Sequence, residues 1–461
     1  SGKRIILSTN LAETSVTLRD VTWVVDSGQV RRLEWDLETG FESLVLGPIS
    51  RASADQRAGR AGRVRPGRCY RLFSTVEWNQ MSPFEPEAIR REDILDIIAQ
   101  SLRLEVPPSD WLTQPHEKSV KLAHEWLTEH ALTDDDMRLS DVGRRLASQP
   151  MSLREAMFVS LAEEEGLGAD ARTWTALLQE APPHTLELSE TSAESDLQAW
   201  LSVGSEDVPS NQRRLWSAWR ERLKRRIQAL GGRLGLGQDE TRLRYAMAKA
   251  SPDRVGYLSV SKRGERSVQL CSGRRMLVDE RVSVRRDGWV IVVQAHQRIT
   301  SRGLQGTVSL LAELDEDWLI DLPGERLHEV VESQWDNKLD KVRTLEVIRY
   351  GECTVSQRVL PPVSNAQSRA QIIRMLERRG LHEFFGDGAE SELQARLSNV
   401  LSKSPESFPE LGDVDLDNFT SHCIESIAER LTAVSEFAGT DLLNWLVADN
   451  AWELRQRLDR E

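Results

Sequence analysis

Ser53-Ala54-Asp55-Gln56-Arg57-Ala58-Gly59-Arg60-Ala61-Gly62-Arg63 is the stretch on which the reading of this 461-residue chain turns. Ser53 followed three residues later by Gln56 has the form of a capping box, which predicts a helix beginning at Ala54. On an α-helix Gln56, Arg60 and Arg63 stand at i, i+4 and i+7, so one amide and two guanidiniums share a face. Glycines at 59 and 62 destabilise a helix by about 1 kcal/mol each relative to alanine, a loss that close approach of another surface would offset. Guanidiniums carried across such an interface stabilise charge developing on a transferring phosphoryl group, and a glutamine beside them orients the attacking water. A basic solvated helix is the plainer reading of a charge run. The regular Gly-Arg spacing behind a cap favours the chemical one.

Residues 51–71 hold seven arginines against a single acid, Asp55, in a chain whose net charge is −13. That overall acidity excludes a protein that coats nucleic acid with its whole surface, so any nucleic-acid site is local. Upstream, Ile5-Ile6-Leu7 reads as a buried strand running into Ser8-Thr9-Asn10-Leu11-Ala12-Glu13-Thr14-Ser15-Val16-Thr17. Short hydroxyl and amide side chains with exposed backbone N–H groups suit phosphate oxygens. Trp23-Val24-Val25 reads as a second buried strand and residues 69–73 as a third. The alternation around Glu38-Thr39-Gly40 predicts a projecting hairpin over residues 30–45. Residues 1–75 therefore have the grammar of an α/β layer.

Apolar stripes at Ile94, Leu95, Ile98 and Leu102, and at Val120, Ala123 and Leu127, predict helices within residues 76–145. Leu139-Ser140-Asp141 reads as a short strand handing over to a capped helix, an order that suits a winged helix. Helices continue over 146–250. In the segment 211–230, Leu215, Trp219, Leu223 and Ile227 oppose Arg213, Arg214, Arg220, Lys224 and Arg225; this is either a bundle helix with a solvated face or one wall of an RNA channel. Over 251–360 the texture turns to short β runs such as Trp289-Val290-Ile291-Val292-Val293, predicting a small barrel or sandwich. After Pro361-Pro362, residues 361–461 read as helical. The expected fold class is multidomain, α/β plus α plus β.

No run of about 18 apolar residues is present to cross a bilayer. The four cysteines lie far apart, without metal-ligand spacing to the eight histidines, so a reducing cytoplasm and no bound metal are expected. His124 and His130 are six apart and fall on different faces of a helix, unlike a zinc-protease pair. The fourteen tryptophans are scattered and read as core packing rather than base-stacking platforms. Ser1-Gly2-Lys3 imitates the end of a Walker A loop, but a strand is predicted where a helix is required.

Taken together, residues 8–17 and 56–63 resemble motifs V and VI of superfamily 2 helicases, in particular the DEAH-box branch, in which motif VI opens with glutamine. Val25-Asp26-Ser27-Gly28 and Pro48-Ile49-Ser50-Arg51-Ala52-Ser53 carry the same resemblance. It implies that the chain begins within the second RecA-like domain, that Arg60 and Arg63 are arginine fingers, and that Gln56 contacts the γ-phosphate and its water. It further implies that Thr9 and Asn10 hold the RNA backbone while Ser15 and Thr17 face ATP. The family often has an acid where Arg19 stands. Beyond residue 250, Pro252-Asp253-Arg254-Val255 and the closing Trp452-Glu453-Leu454-Arg455 resemble the HrpB type of bacterial helicase.

In such a protein the expected domains are part of the second RecA-like domain (1–75), a winged helix (76–145), a helical ratchet bundle (146–250), an OB-like β domain (251–360) and a helical C-terminal region (361–461). ATP with Mg2+ would be bound mainly by a first RecA-like domain that supplies the Walker A lysine and the acidic pair, neither of which this sequence contains. The chain alone is therefore expected to be inactive. RNA, single-stranded or with a single-stranded end, is the expected partner, with no membrane. The alternatives left open are a non-catalytic RNA- or protein-binding scaffold derived from such a helicase, and a helicase directed to DNA.

Overall fold

Helix α1 (Leu11–Thr14) precedes strand β1 (Trp23–Asp26), the hairpin β2 (Gln29–Asp36) and β3 (Phe41–Pro48), helix α2 (Arg51–Ala58), a 3₁₀ turn at Gly59–Gly62, strand β4 (Arg68–Arg71) and helix α3 (Thr75–Gln80). The structure is a computed structural model that describes residues 4–14, 21–182, 195–235, 239–300, 303–447 and 451–460. β1 and β4 pair in parallel, with Trp23 opposite Arg68 and Asp26 opposite Arg71. β2 and β3 form the expected antiparallel hairpin, Asp36 opposite Phe41, and Gly40 closes its turn at φ +67°, a conformation glycine adopts without steric cost.

Ile5-Ile6-Leu7 does not form the expected buried strand: residues 4–9 have no regular structure, and Ile5 and Leu7 are 91% and 93% exposed. A strand of a parallel sheet needs a neighbour to take its hydrogen bonds and cover for its faces. β1 and β4 form a two-stranded sheet, and Trp23, Val25 and Tyr70 on it are exposed.

The helical part of the same unit runs through α4 (Leu95–Leu104), α5 (Glu117–Glu129), α6 (Asp141–Ala147), α7 (Leu153–Glu164), α8 (Gly168–Gln179), α9 (Asp196–Ser202), α10 (Arg213–Ala229) and α11 (Glu240–Ala250). The predicted stripes are its core: Ile94, Leu95, Ile98, Ala123 and Leu127 pack with Trp126, Leu146 and Leu153, each large side chain contributing about 1.5–3 kcal/mol on full burial. Ser140 and Ser152 cap α6 and α7 by accepting from the amides of Gly143 and Glu155, and the strand predicted at Leu139 is a single bridge to Thr133. On α10, Trp219, Leu223 and Ile227 are buried as expected, while Leu215 is 38% exposed.

Alternation of apolar residues then builds a closed barrel from β5 (Val255–Val260), β6 (Arg266–Leu270), β7 (Arg275–Val278), β8 (Gly288–Thr300) and β9 (Gly303–Glu313), in the order β5-β6-β7-β9-β8. β7 and β9 pair in parallel. Closure leaves no unpaired strand edge. The barrel core includes Leu258, Val268, Val290 and Leu311 and also Phe41, from the hairpin tip.

The second unit joins β10 (Leu327–Asp336), β11 (Lys341–Tyr350) and β12 (Cys353–Leu360) to helices α12 (Ala366–Arg379), α13 (His382–Phe385), α14 (Ala389–Lys403), α15 (Phe419–Arg430), α16 (Leu442–Leu446) and α17 (Ala451–Leu458). Its core gathers Ile372, Leu376, Leu397, Phe419 and Ile427. The division falls between Ser1–Arg326 with Gly351–Cys353 and Leu327–Tyr350 with Thr354–Glu461. The β texture of residues 251–360 is thus shared between two units, because β10 and β11 pack against α12, the helix that follows the three strands. Among the described residues no helix is long and apolar enough to cross a membrane.

Candidate nucleotide and nucleic-acid site

Helix α2 starts earlier than its sequence suggests. Its N-cap is Ser50, whose Oγ accepts from the Ser53 amide at 3.1 Å. Ser53 is buried inside the helix, so the capping box read at Ser53 and Gln56 is not formed. The reason is tertiary: the amides of Arg51 and Ala52 donate to the carbonyls of Ser82 and Pro83 at 2.9 and 3.1 Å, which anchors the first turn three residues earlier.

The α-helix also ends sooner, giving way at Gly59 to a 3₁₀ turn. Arg60 lies within this turn and Arg63 is its C-cap, while Gln56 stays on the α-helix, so the three do not continue one α-helical face. Gln56 and Arg63 are exposed. Arg60 is half-buried; its Nη2 donates to the Glu13 carbonyl, while its Nε and Nη1 are buried without a hydrogen-bond partner among the described residues. A buried guanidinium with two idle donors is costly unless an acceptor arrives. Around Gly59 and Gly62 a Cβ would meet open space, so nothing described in this chain calls for their small size. Gly67 differs, since a Cβ there would lie 2.0 Å from the Ala61 carbonyl oxygen.

Arg57 escaped the sequence reading. Its Nε donates to Glu13 Oε2 at 2.9 Å, and its Nη1 to Asp26 Oδ1 and the Gln29 carbonyl, each at 3.0 Å. One guanidinium therefore ties together α1, the end of β1 and the start of β2. Asp26 also accepts from the Gly28 amide at 3.0 Å, and Gly28, at φ +71°, leaves room for the Phe73 ring. The available sequence signal was an isolated acid in each of two motifs, Glu13 and Asp26, with an arginine between the predicted fingers and their cap.

Thr9 and Asn10 are exposed at the start of α1. Thr9 Oγ1 accepts from the Leu11 amide at 3.5 Å, and the Asn10 carbonyl from the Glu13 amide at 2.9 Å. Glu13 is the link between this turn and the arginines, its carboxylate held by Arg57 and its carbonyl by Arg60. Ser15, Thr17 and Arg19 lie outside the described residues. At the C-cap of α5, His130 places its ring nitrogens 2.8 and 2.9 Å from the carbonyls of Trp126 and Lys249, a core position, and burial pushes its pKa down.

The hairpin is held at both ends. At its tip, the Arg254 guanidinium lies 4.6 Å from the Phe41 ring and donates to the Gly40 carbonyl, and Arg274 pairs with Glu38. Burial brings the Arg254 pKa down to about 10. Burial alone would push the neighbouring Asp253 carboxyl up, but Arg154, at 2.8 Å, and Arg254 hold it below its ordinary value.

No protein-family model matches the chain. The ATP-dependent RNA helicase HrpB of Escherichia coli (strain K12) is 24% identical over 468 residues, covering 100% of this chain and 54% of that protein. ATP-dependent RNA helicase DHX33 of Mus musculus is 32% identical over 184 residues, covering 38% of this chain and 26% of the relative. Two crystal structures of E. coli HrpB cover 98% of the chain with TM-scores of 0.61 and 0.60 at 23% and 22% identity, and the chain covers 53% and 55% of theirs. The chain spans about half the length of HrpB. In sequence and in fold, it is similar along its whole length to DEAH-box helicases of the HrpB type.

Proposed function

We propose that this chain is the C-terminal part of an ATP-dependent RNA helicase of the DEAH-box, HrpB type, in which hydrolysis drives 3′-to-5′ movement along RNA. Residues 1–75 serve as the C-terminal part of the second RecA-like domain, followed by winged helix, ratchet bundle, OB-like domain and a helical C-terminal region. The observation that carries the reading is that Arg60, on a 3₁₀ turn that Arg63 immediately follows, has two buried donors without acceptors among the described residues. Phosphate oxygens supply such acceptors.

In this reading ATP sits between the arginine turn and a first RecA-like lobe. Arg60 and Arg63 donate to the γ-phosphate oxygens as charge develops on them, and Gln56 orients the attacking water. Thr9 and Asn10 hold an RNA phosphate, and Glu13, gripped by both Arg57 and Arg60, makes that turn sensitive to where Arg60 points. Mg2+ would assist the phosphates in such an enzyme. Among the described residues no cluster of His, Cys, Asp or Glu side chains could hold a metal, so its ligands are assigned to the other lobe and no step here runs through it. A bacterial cytoplasm is the matching compartment.

The test uses the protein with both lobes. Arg60→Ala and Arg63→Ala should each lower RNA-stimulated ATP turnover about 10³-fold while RNA binding persists. Turnover within a few-fold of the parent would sink the assignment. Stronger stimulation by single-stranded DNA than by RNA would redirect it to a DNA helicase.

A further inference from the structure

We propose that Glu85 is a positioning residue for the arginine turn, fastening the hairpin β2–β3 to the first turn of α2. Glu85 lies in the connector after α3. Its Oε2 accepts from Arg32 Nη1 on β2 at 2.9 Å, and its Oε1 accepts from the Ser50 amide at 2.8 Å and the Ser53 hydroxyl at 3.5 Å. One carboxylate thus holds a hairpin cation with one oxygen and a helix N-terminus with the other.

The neighbouring donors close the same seam. Arg51 N and Ala52 N donate to Ser82 and Pro83, and Ser53 N to Ser50 Oγ. A helix N-terminus usually leaves such amides free and favours negative charge beside it. Here the connector takes both roles, which locks the start of α2 axially and in rotation.

At its far end the hairpin is gripped by the barrel through buried Phe41, under Arg254, and through Glu38 on Arg274. Any shift of the barrel against the sheet therefore travels along β2 to Arg32, and through Glu85 to α2. Arg60 and Arg63 follow α2 directly, so Glu85 sets the angle at which they are delivered. A misplacement of about 1 Å at reacting groups costs up to about 100-fold in rate, which makes a remote tie kinetically visible.

The inference rests on the reading of Arg60 and Arg63 as phosphate-facing. Turnover at saturating RNA, KM for ATP and melting temperature should be measured for Glu85→Ala, Glu85→Gln, Arg32→Ala and the double variant Arg32→Ala/Glu85→Ala of the two-lobed protein, beside Arg60→Ala. Glu85→Ala should lower kcat about tenfold with KM for ATP altered less than about twofold. Glu85→Gln, which keeps an acceptor for Ser50, should fall between it and the parent. The double variant should be no slower than Glu85→Ala, because both changes cut one tie.

A lowered melting temperature with kcat unchanged in Glu85→Gln and Arg32→Ala would reduce Glu85 to a structural brace and overturn the proposal. If Glu85→Ala does not fold, those two milder variants decide it. Loss of turnover in Arg60→Ala with none in the Glu85 and Arg32 variants sinks this inference and spares the functional reading. Full turnover in Arg60→Ala sinks both.

Discussion

Arg57 and Asp26, thirty-one residues apart, meet through a 3.0 Å contact between Nη1 and Oδ1 at which the Asp26 side chain is only 1% exposed and that of Arg57 14%. With Glu13 as the second acid on the same guanidinium, this pair holds the turn carrying Thr9 and Asn10 against the helix carrying Gln56.

Removing one partner of a buried ion pair leaves the other charge unsolvated, at about 3–5 kcal/mol. Arg57→Ala should destabilise the first unit by about 3 kcal/mol, read as a lower midpoint in urea unfolding. Asp26→Asn in the Arg57→Ala background should recover part of that loss, because it removes the stranded charge. A midpoint unchanged in Arg57→Ala would show that the pair contributes no net stability.

The glycines separate packing from function. Gly59→Ala and Gly62→Ala should each stabilise the chain by about 0.4–1 kcal/mol, since the Gly59 backbone is right-handed, that of Gly62 lies outside the left-handed region, and nothing among the described residues crowds the new methyl. The proposed function sets a first RecA-like lobe against this turn, and on that proposal the same changes in the two-lobed protein should slow RNA-stimulated turnover. Gly67→Ala should instead destabilise by about 1–3 kcal/mol, its Cβ colliding with the Ala61 carbonyl. Thermal melts of the three variants would order them, and equal melting temperatures would contradict the packing described.

On α10, Arg220 lies 5.6 and 5.9 Å from the rings of Trp216 and Trp219, so its reversal would disturb packing as well as charge. Lys224 and Arg225 are exposed and make the cleaner test of an RNA-facing wall. Lys224→Glu/Arg225→Glu should weaken RNA binding and reduce the slope of log K against log salt by about 2. An unchanged slope would make this face merely solvated.

His130 supplies a pH dependence. Burial lowers its folded pKa beneath the unfolded value of about 6.5, so between the two values the unfolded chain binds more protons. Its contribution to stability is complete above about pH 6.5 and is lost as pH falls through the folded pKa. His130→Gln should therefore show a smaller drop in melting temperature between about pH 7.5 and pH 5 than the parent. An equal drop in both would assign the acid sensitivity to other groups.

Much of this was legible because it is local. The stripes Ile94 to Ile98 and Val120 to Leu127, the hairpin turn at Gly40 and the β alternation after residue 251 depend on residue types a few positions apart. What failed depended on distant partners: Ser50 rather than Ser53 caps α2 because Ser82, Pro83 and Glu85 take the first amides. Ile5-Ile6-Leu7 reads as a strand yet has no neighbour to pair with among the described residues.

By itself the sequence determined the chemistry offered, an amide and two guanidiniums within eight residues, and the periodicities of the elements around them. The tertiary structure alone decided which donors remain idle, where α2 begins and changes pitch, and that Arg57, Glu13 and Asp26 form one knot. It also decided that Phe41 leaves its own hairpin for the core of a barrel built from residues more than two hundred positions further on. Hydrogen-bond and burial partners are chosen by proximity in space, and spacing along the chain encodes only the contacts made within a turn or two.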